Sequence, residues 1–227
     1  PFAKISIKSM RHNLNPKNLE WDDNKFFNNQ FSHPYQGSLY FNAFRSNGYN
    51  FWESAPAALA GTLAWETLFE THVPAPNDLV NTCLGGIAIG EMSNRISRKL
   101  LNRKKGTKRS RLAVPLSFVI NPLYDVNYIL DNKWRQKNEP AVDNIPLSLV
   151  SDAGIRLTNF NGEEKKGAGG YKREAFGRIH LQYGDPFTNV KEPFSNFSMT
   201  VEAGNDDSAK ANILQIEGSL YGRKIKQ

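Results

Sequence analysis

The stretch "AFGRIHLQYG" (residues 175–184) decides how the second half of this chain is read. Ala175, Ile179, Leu181 and Tyr183 fall on one side; Arg178, His180 and Gln182 fall on the other. A period of two belongs to a β-strand, whose successive side chains point to opposite faces. The pattern recurs on both sides of it. In "LSLVSDAGIRLTNF" (147–160), Leu147, Leu149, Ala153, Ile155 and Leu157 oppose Asp152, Arg156 and Thr158. In "NFSMTVEAG" (196–204), Phe197, Met199, Val201 and Ala203 oppose Asn196, Ser198, Thr200 and Glu202. In "ANILQIEGSLYGRK" (211–224), Leu214, Ile216 and Leu220 oppose Gln215, Glu217, Ser219 and Arg223. Turn-rich segments separate the four: "NGEEKKGAGG", "DPFTNVKEP" and "NDDSAK". The expectation is four antiparallel strands joined by hairpins.

Alternating strands of about ten residues with polar turns are the signature of an outer-membrane β-barrel. A soluble half-buried sheet gives the same alternation. Strand length, and small residues on both faces (Gly154, Gly177, Gly218 and Gly222), favour the barrel. Four strands cannot close one, since the smallest needs about eight. The barrel is therefore expected to be incomplete here, with the remaining strands of the same protein as partners. A start at Pro1 rather than Met, and an end at Gln227 just past a strand, fit a processed or partial chain.

Upstream of residue 145 the period becomes helical. "KISIKSMRHNL" (4–14) suits a short amphipathic helix, and "NPKNLEWDDNKFFNNQFSHPY" (15–35) reads as a loop. Helices are expected over 36–46, ended by Gly48; over 51–71; from Pro76 through Leu101; and over 110–131 with a break at Asn121-Pro122. Small residues four apart (Ala57 and Gly61; Gly86 and Gly90) predict close packing of helix 51–71 on helix 76–103. The fold class is thus α+β: a helical module over residues 1–144, then antiparallel strands over 145–227.

The longest nearly uncharged run in the helical part, "SAPAALAGTLAW" (54–65), falls short of the roughly 20 residues of a spanning helix. One cysteine, Cys83, forbids an internal disulfide and leaves the compartment open. The formal charge of +7 is concentrated in Arg98, Lys99, Arg103, Lys104, Lys105, Lys108, Arg109 and Arg111. Without these eight, 21 basic residues face 22 acidic ones. Such a patch suits phosphate on lipid headgroups or nucleic acid, or is a solvated helix end. No aromatic residue interleaves with it, which argues against nucleic acid. The expected anionic-surface contacts are Arg103, Lys104, Lys105, Lys108, Arg109 and Arg111.

Catalytic signatures are missing. His12, His33, His72 and His180 lack helical metal-ligand spacing, HExxH and GxSxG are absent, and one cysteine makes no thiolate zinc site. No metal and no cofactor are expected. "GAGGYKR" (167–173) reads as a hairpin loop. Glu66 and Glu70 share a helix face, and Asn77, Asp78 and Asn81 open the next helix, where Asp78 is explained by capping alone. Glu91 and Arg95 form an ordinary helical pair. His33, Tyr35, Tyr40, Arg45 and Glu53 could converge on these carboxylates, as a structural network or as a site.

"FSHPYQGSLYFNAFRSNGYNFWES", "AWETLFE" and "PAPNDLVNTCLGGIAIGEMSNRIS" together resemble an uncharacterised bacterial family, domain of unknown function 3943. The resemblance covers about residues 22–102. It rests on His33, Tyr35, Gly37, Tyr40, Asn42, Arg45, Trp52, Glu53, Trp65, Glu66, Asn77, Asp78, Gly85, Gly86, Gly90 and Glu91. Ala75 departs from it, since a serine is expected there. The resemblance implies a Gram-negative envelope protein, with a helical segment leading into outer-membrane strands, and implies no activity.

The expected protein is outer-membrane-associated and non-enzymatic, with a transport, plug or envelope role. Its helical part faces periplasm or barrel lumen, and its partner is outer-membrane lipid or lipopolysaccharide. The alternative is an enzyme modifying lipid or lipopolysaccharide through His33, Glu53, Glu66 and Asp78.

Overall fold

Capping residues start the helices that open at Ile7, Phe51 and Pro122. In the computed structural model, which describes residues 4–23, 28–101, 111–131, 145–160, 170–187, 192–205 and 211–222, two compact units appear: Pro1–Asp143 and Asn144–Gln227. In the first, a Ser6/Ser9 capping box opens α1 (Ile7–Asn13). A π-turn, Asn28–Ser32, runs into α2 (His33–Arg45), with Pro34 in the first turn. The helix thus begins inside the segment expected to be loop, because proline needs no amide partner there. Gly48, at φ 96°, follows α2, and a reciprocal Asn50/Glu53 box opens α3 (Phe51–Ala64). A π-turn, Trp65–Phe69, extends α3. Helix α4 (Pro76–Val80) passes through a third π-turn, Asn81–Gly85, into α5 (Gly86–Leu101). Helices α6 (Ala113–Ile120) and α7 (Pro122–Leu130) break at Asn121, whose side chain accepts the Tyr124 amide.

Helix α2 is the centre of this unit. It packs on both α3 and α5, which scarcely meet each other. The expected 51–71/76–103 pair is therefore corrected. A Cβ on Gly86 would lie 2.5 Å from the Gly37 backbone of α2; one on Gly90 would lie 2.7 Å from Phe41, and one on Gly61 2.4 Å from Tyr40. The small residues of α3 and α5 make room for α2, not for one another.

The interior of the unit is unusually polar. Glu91 is fully buried and pairs with Arg45 (2.7 Å) and Arg95 (2.8 Å). Asn42 donates to Ser93 Oγ, Asn127 to Ser46 Oγ and Ser117 to Asp125. Phe41, Phe51, Ala58, Met92 and Ile96 supply the apolar core, while Trp52, Leu59, Leu63, Leu84, Val119 and Leu130 are exposed. Among the described residues no helix is long and apolar enough to cross a membrane.

The second unit is one antiparallel sheet, β1 (Leu147–Phe160), β2 (Gly170–Tyr183), β3 (Phe197–Gly204) and β4 (Ala211–Gly218), in sequential order. β2 begins at Gly170, so the end of "GAGGYKR" joins the strand rather than the loop. The register puts Leu149 opposite Leu181, Leu181 opposite Met199, and Met199 opposite Ile216. Among the described residues the sheet is open. Arg156 and Arg178 converge on Glu202 of the opposite face, each at 2.7 Å, and both guanidinium groups lie over the Phe176 ring.

Candidate functional site

A cavity of about 390 Å³ opens among the N-terminal loop, the start of α2, the π-turn after α3 and the start of α4. It is lined by Glu20, Trp21, Asp22, His33, Glu66, Glu70, His72 and Asp78, among others. All three π-turns border it in sequence: His33 follows the first, Glu66 sits in the second, and Asp78 precedes the third by three residues. A π-turn adds a residue to a helix and re-aims the side chains around it, which is why such turns cluster at functional sites.

Side-chain amides fix the cavity wall. Asn77 Oδ1 accepts the Asp22 amide, and Asn77 Nδ2 donates to the Asp22 carbonyl and to Asp78 Oδ1, all at 3.1 Å. This clamp ties the loop to α4 as a strand neighbour would. Asn13 Nδ2 donates to the carbonyls of Glu66, Glu70 and His72, holding the turn between α3 and α4. Glu70 is occupied: Trp65 Nε1 donates to it at 3.0 Å, and His72 lies at 3.1 Å.

The electrostatics are lopsided. Glu66 is 4% exposed, and burial, reinforced by Glu70 and Asp78, pushes its carboxyl up to about 8. Asp78 rises to about 6, chiefly through burial, with His33 opposing and Asp22 reinforcing. His33 Nε2 stands 3.7 Å from Asp78 Oδ1, too far for a hydrogen bond, and its buried Nδ1 has no partner. Ligand atoms of Asp22, His33 and Asp78 all lie within 4.8 Å of one another. Chemically, the cavity can exchange protons near neutral pH or hold a cation.

Of the residues singled out in the sequence, the structure gathers His33, Glu66, Glu70 and Asp78 here, with Asn77 behind them. The others lie elsewhere. Arg45 is paired with Glu91, Glu53 caps α3 at the surface, and Tyr35 is exposed on α2. Tyr40 accepts from Gln36 and packs under Gly61; burial raises its hydroxyl pKa. Asn81 is half-buried in the third π-turn. The basic residues Arg103, Lys104, Lys105, Lys108 and Arg109 lie outside the described residues, and Arg111 is exposed. Asp22 went unnoticed in the sequence, because a loop aspartate eleven residues before His33 carries no local signal. Glu91 and Arg95, read as an ordinary helical pair, share their charge with Arg45 across α2 and α5.

The family model described as domain of unknown function (DUF3943) matches residues 18–123. That segment is a domain of this family, and it contains every cavity residue named above except Asn13. No curated protein and no solved structure matches the chain.

Proposed function

We propose that this chain is an outer-membrane protein in which strands β1–β4 form part of a barrel wall and the helical unit serves a non-enzymatic transport or envelope role. The observation that carries this reading is the inversion of the sheet. Leu149, Ile155, Leu157 and Ile179 are 52–72% exposed on the apolar face, while Glu202 on the polar face is fully buried between two arginines. In a soluble sheet the apolar face is the covered one. Leaving such side chains in water forfeits on the order of 1.5–3 kcal/mol each. A barrel in lipid meets both demands, with the apolar face on hydrocarbon and the ion-paired face on the lumen. The helical unit supports the same reading, because it also buries polar groups and exposes Trp52, Leu59 and Leu63. Lipid or lipopolysaccharide is then the surrounding phase, and further strands complete the wall.

Cysteine substitution in a Cys83→Ser background tests this in cells. Ile179→Cys should resist a membrane-impermeant maleimide, while Gln215→Cys on the polar face should react. Equal labelling of both, or recovery of the protein in the soluble fraction, would sink the reading. The enzymatic alternative draws support from the raised Glu66 and Asp78 carboxyls. It no longer includes Glu53, whose carboxylate is spent on capping. Unchanged lipid A in a strain carrying His33→Ala and Glu66→Ala would remove it.

A further inference from the structure

We propose that Asp22, His33 and Asp78, with Glu66 at the buried end of the same cavity, form a binding site for one divalent transition-metal cation. The inference concerns the helical unit alone and stands whichever phase the sheet faces.

Geometry comes first. Three segments far apart in sequence deliver one imidazole and two carboxylates whose ligand atoms lie within 4.8 Å of one another. Metal bonds of about 2.1 Å place two ligands of a tetrahedral ion about 3.4 Å apart. The 3.7 Å between His33 Nε2 and Asp78 Oδ1 is close to that spacing and too long for a hydrogen bond. The widest separation in the set, up to 4.8 Å, would have to close by about 1.4 Å to reach that spacing.

Second, the cavity gathers the carboxyls of Asp22, Glu66, Glu70 and Asp78 beside two imidazoles, His33 and His72. Glu66 is 4% exposed and lines the cavity, where the Ala75 amide donates to it. Among the described residues no lysine or arginine lines the space. Structural ion pairs look different in this molecule: Glu91 and Glu202 each have two arginines.

Third, the ligand supports are already built. Asn77 holds the Asp22 backbone from both sides and donates to Asp78, as outer partners of metal carboxylates do. The donor set selects the metal class. One imidazole with carboxylates suits Zn²⁺, Mn²⁺ or Fe²⁺, whereas Ca²⁺ and Mg²⁺ take all-oxygen sites.

The test uses the full chain, purified with chelator and then titrated with Zn²⁺ by calorimetry. One equivalent should bind, and X-ray absorption should report nitrogen and oxygen ligands without sulfur. Asp22→Asn and Asp78→Asn should each weaken binding at least about tenfold, with far-UV circular dichroism checking the fold. Glu53→Gln, outside the cavity, should leave affinity unchanged. Should Asp78→Asn fail to fold, Asp22→Asn decides alone, because Asn77 holds residue 22 through its backbone. Absence of saturable binding, sulfur ligation by Cys83, or undiminished affinity in Asp22→Asn would overturn the site.

Discussion

Replacing Glu66 by Gln should stabilise the metal-free protein, and only above acidic pH. In the folded chain Glu66 keeps its proton to about pH 8, whereas its ordinary value is 4.5. Between those two values the unfolded chain has released the proton and the folded chain has not. Raising the pH therefore favours unfolding, so this group's contribution is fully present below about pH 4.5 and is lost progressively up to about pH 8. At about 1.4 kcal/mol per pH unit, the loss reaches about 3 kcal/mol at pH 7 and about 5 kcal/mol beyond pH 8. Glutamine keeps the shape and the acceptor for the Ala75 amide but cannot ionise. Asp78, raised to about 6 and tilting stability the same way at lower pH, is present in both proteins and largely cancels. The assay is denaturant unfolding in EDTA from pH 4.5 to 8.5, followed by tryptophan fluorescence. Glu66→Gln should match the parent near pH 4.5 and exceed it increasingly towards pH 8. A difference independent of pH, or a parent whose stability advantage over the variant grows with pH, would refute the burial argument.

The remaining expectations concern packing, charge and the clamp. Glu91→Ala should cost about 3–5 kcal/mol, because it strands Arg45 and Arg95 in the interior; the shift in denaturation midpoint measures it. Gly37→Ala would put a Cβ 1.7 Å from the Thr82 carbonyl oxygen, which is backbone and cannot swing aside. A loss of at least about 1–3 kcal/mol in thermal unfolding should follow, while Gly177→Ala, which meets nothing within 4 Å, serves as the tolerated control. Asn77→Ala should weaken Zn²⁺ binding about 10–100-fold by freeing Asp22, read by the same calorimetric titration. Ile155→Arg, which puts a charge on the apolar face, should destabilise a membrane-inserted sheet by about 2–4 kcal/mol at mid-depth, seen as loss of the heat-modifiable folded band on gels.

Short-range order was legible in the chain, and long-range convergence was not. Strand registers follow from a period of two, and helix starts follow from residues such as Asn50 with Glu53 or Asn121 before Pro122, because both signals act within four residues. Gly86 announced close packing, but a glycine does not name its neighbour, and the neighbour was Gly37 of α2. The cavity was hidden for the same reason. Asp22, His33, Glu66 and Asp78 meet only in the folded chain, from the N-terminal loop, α2, the π-turn after α3 and α4, and no local composition marks that convergence. Alternation carries a subtler ambiguity. It tells that the faces of a strand differ, not which face is covered. Val201 and Glu202 are neighbours in sequence, yet Glu202 is enclosed and Val201 lies open. Burying Glu202 is tolerable because Arg156 and Arg178 reach it from β1 and β2, the two strands before it in the sheet. The same inversion in α5, where Glu91, Asn94 and Arg95 are enclosed, occurs in a unit with different secondary structure and different partners. Both units enclose charge and present leucine and isoleucine or tryptophan outward, and the proposed lipid-facing setting would meet both demands at once.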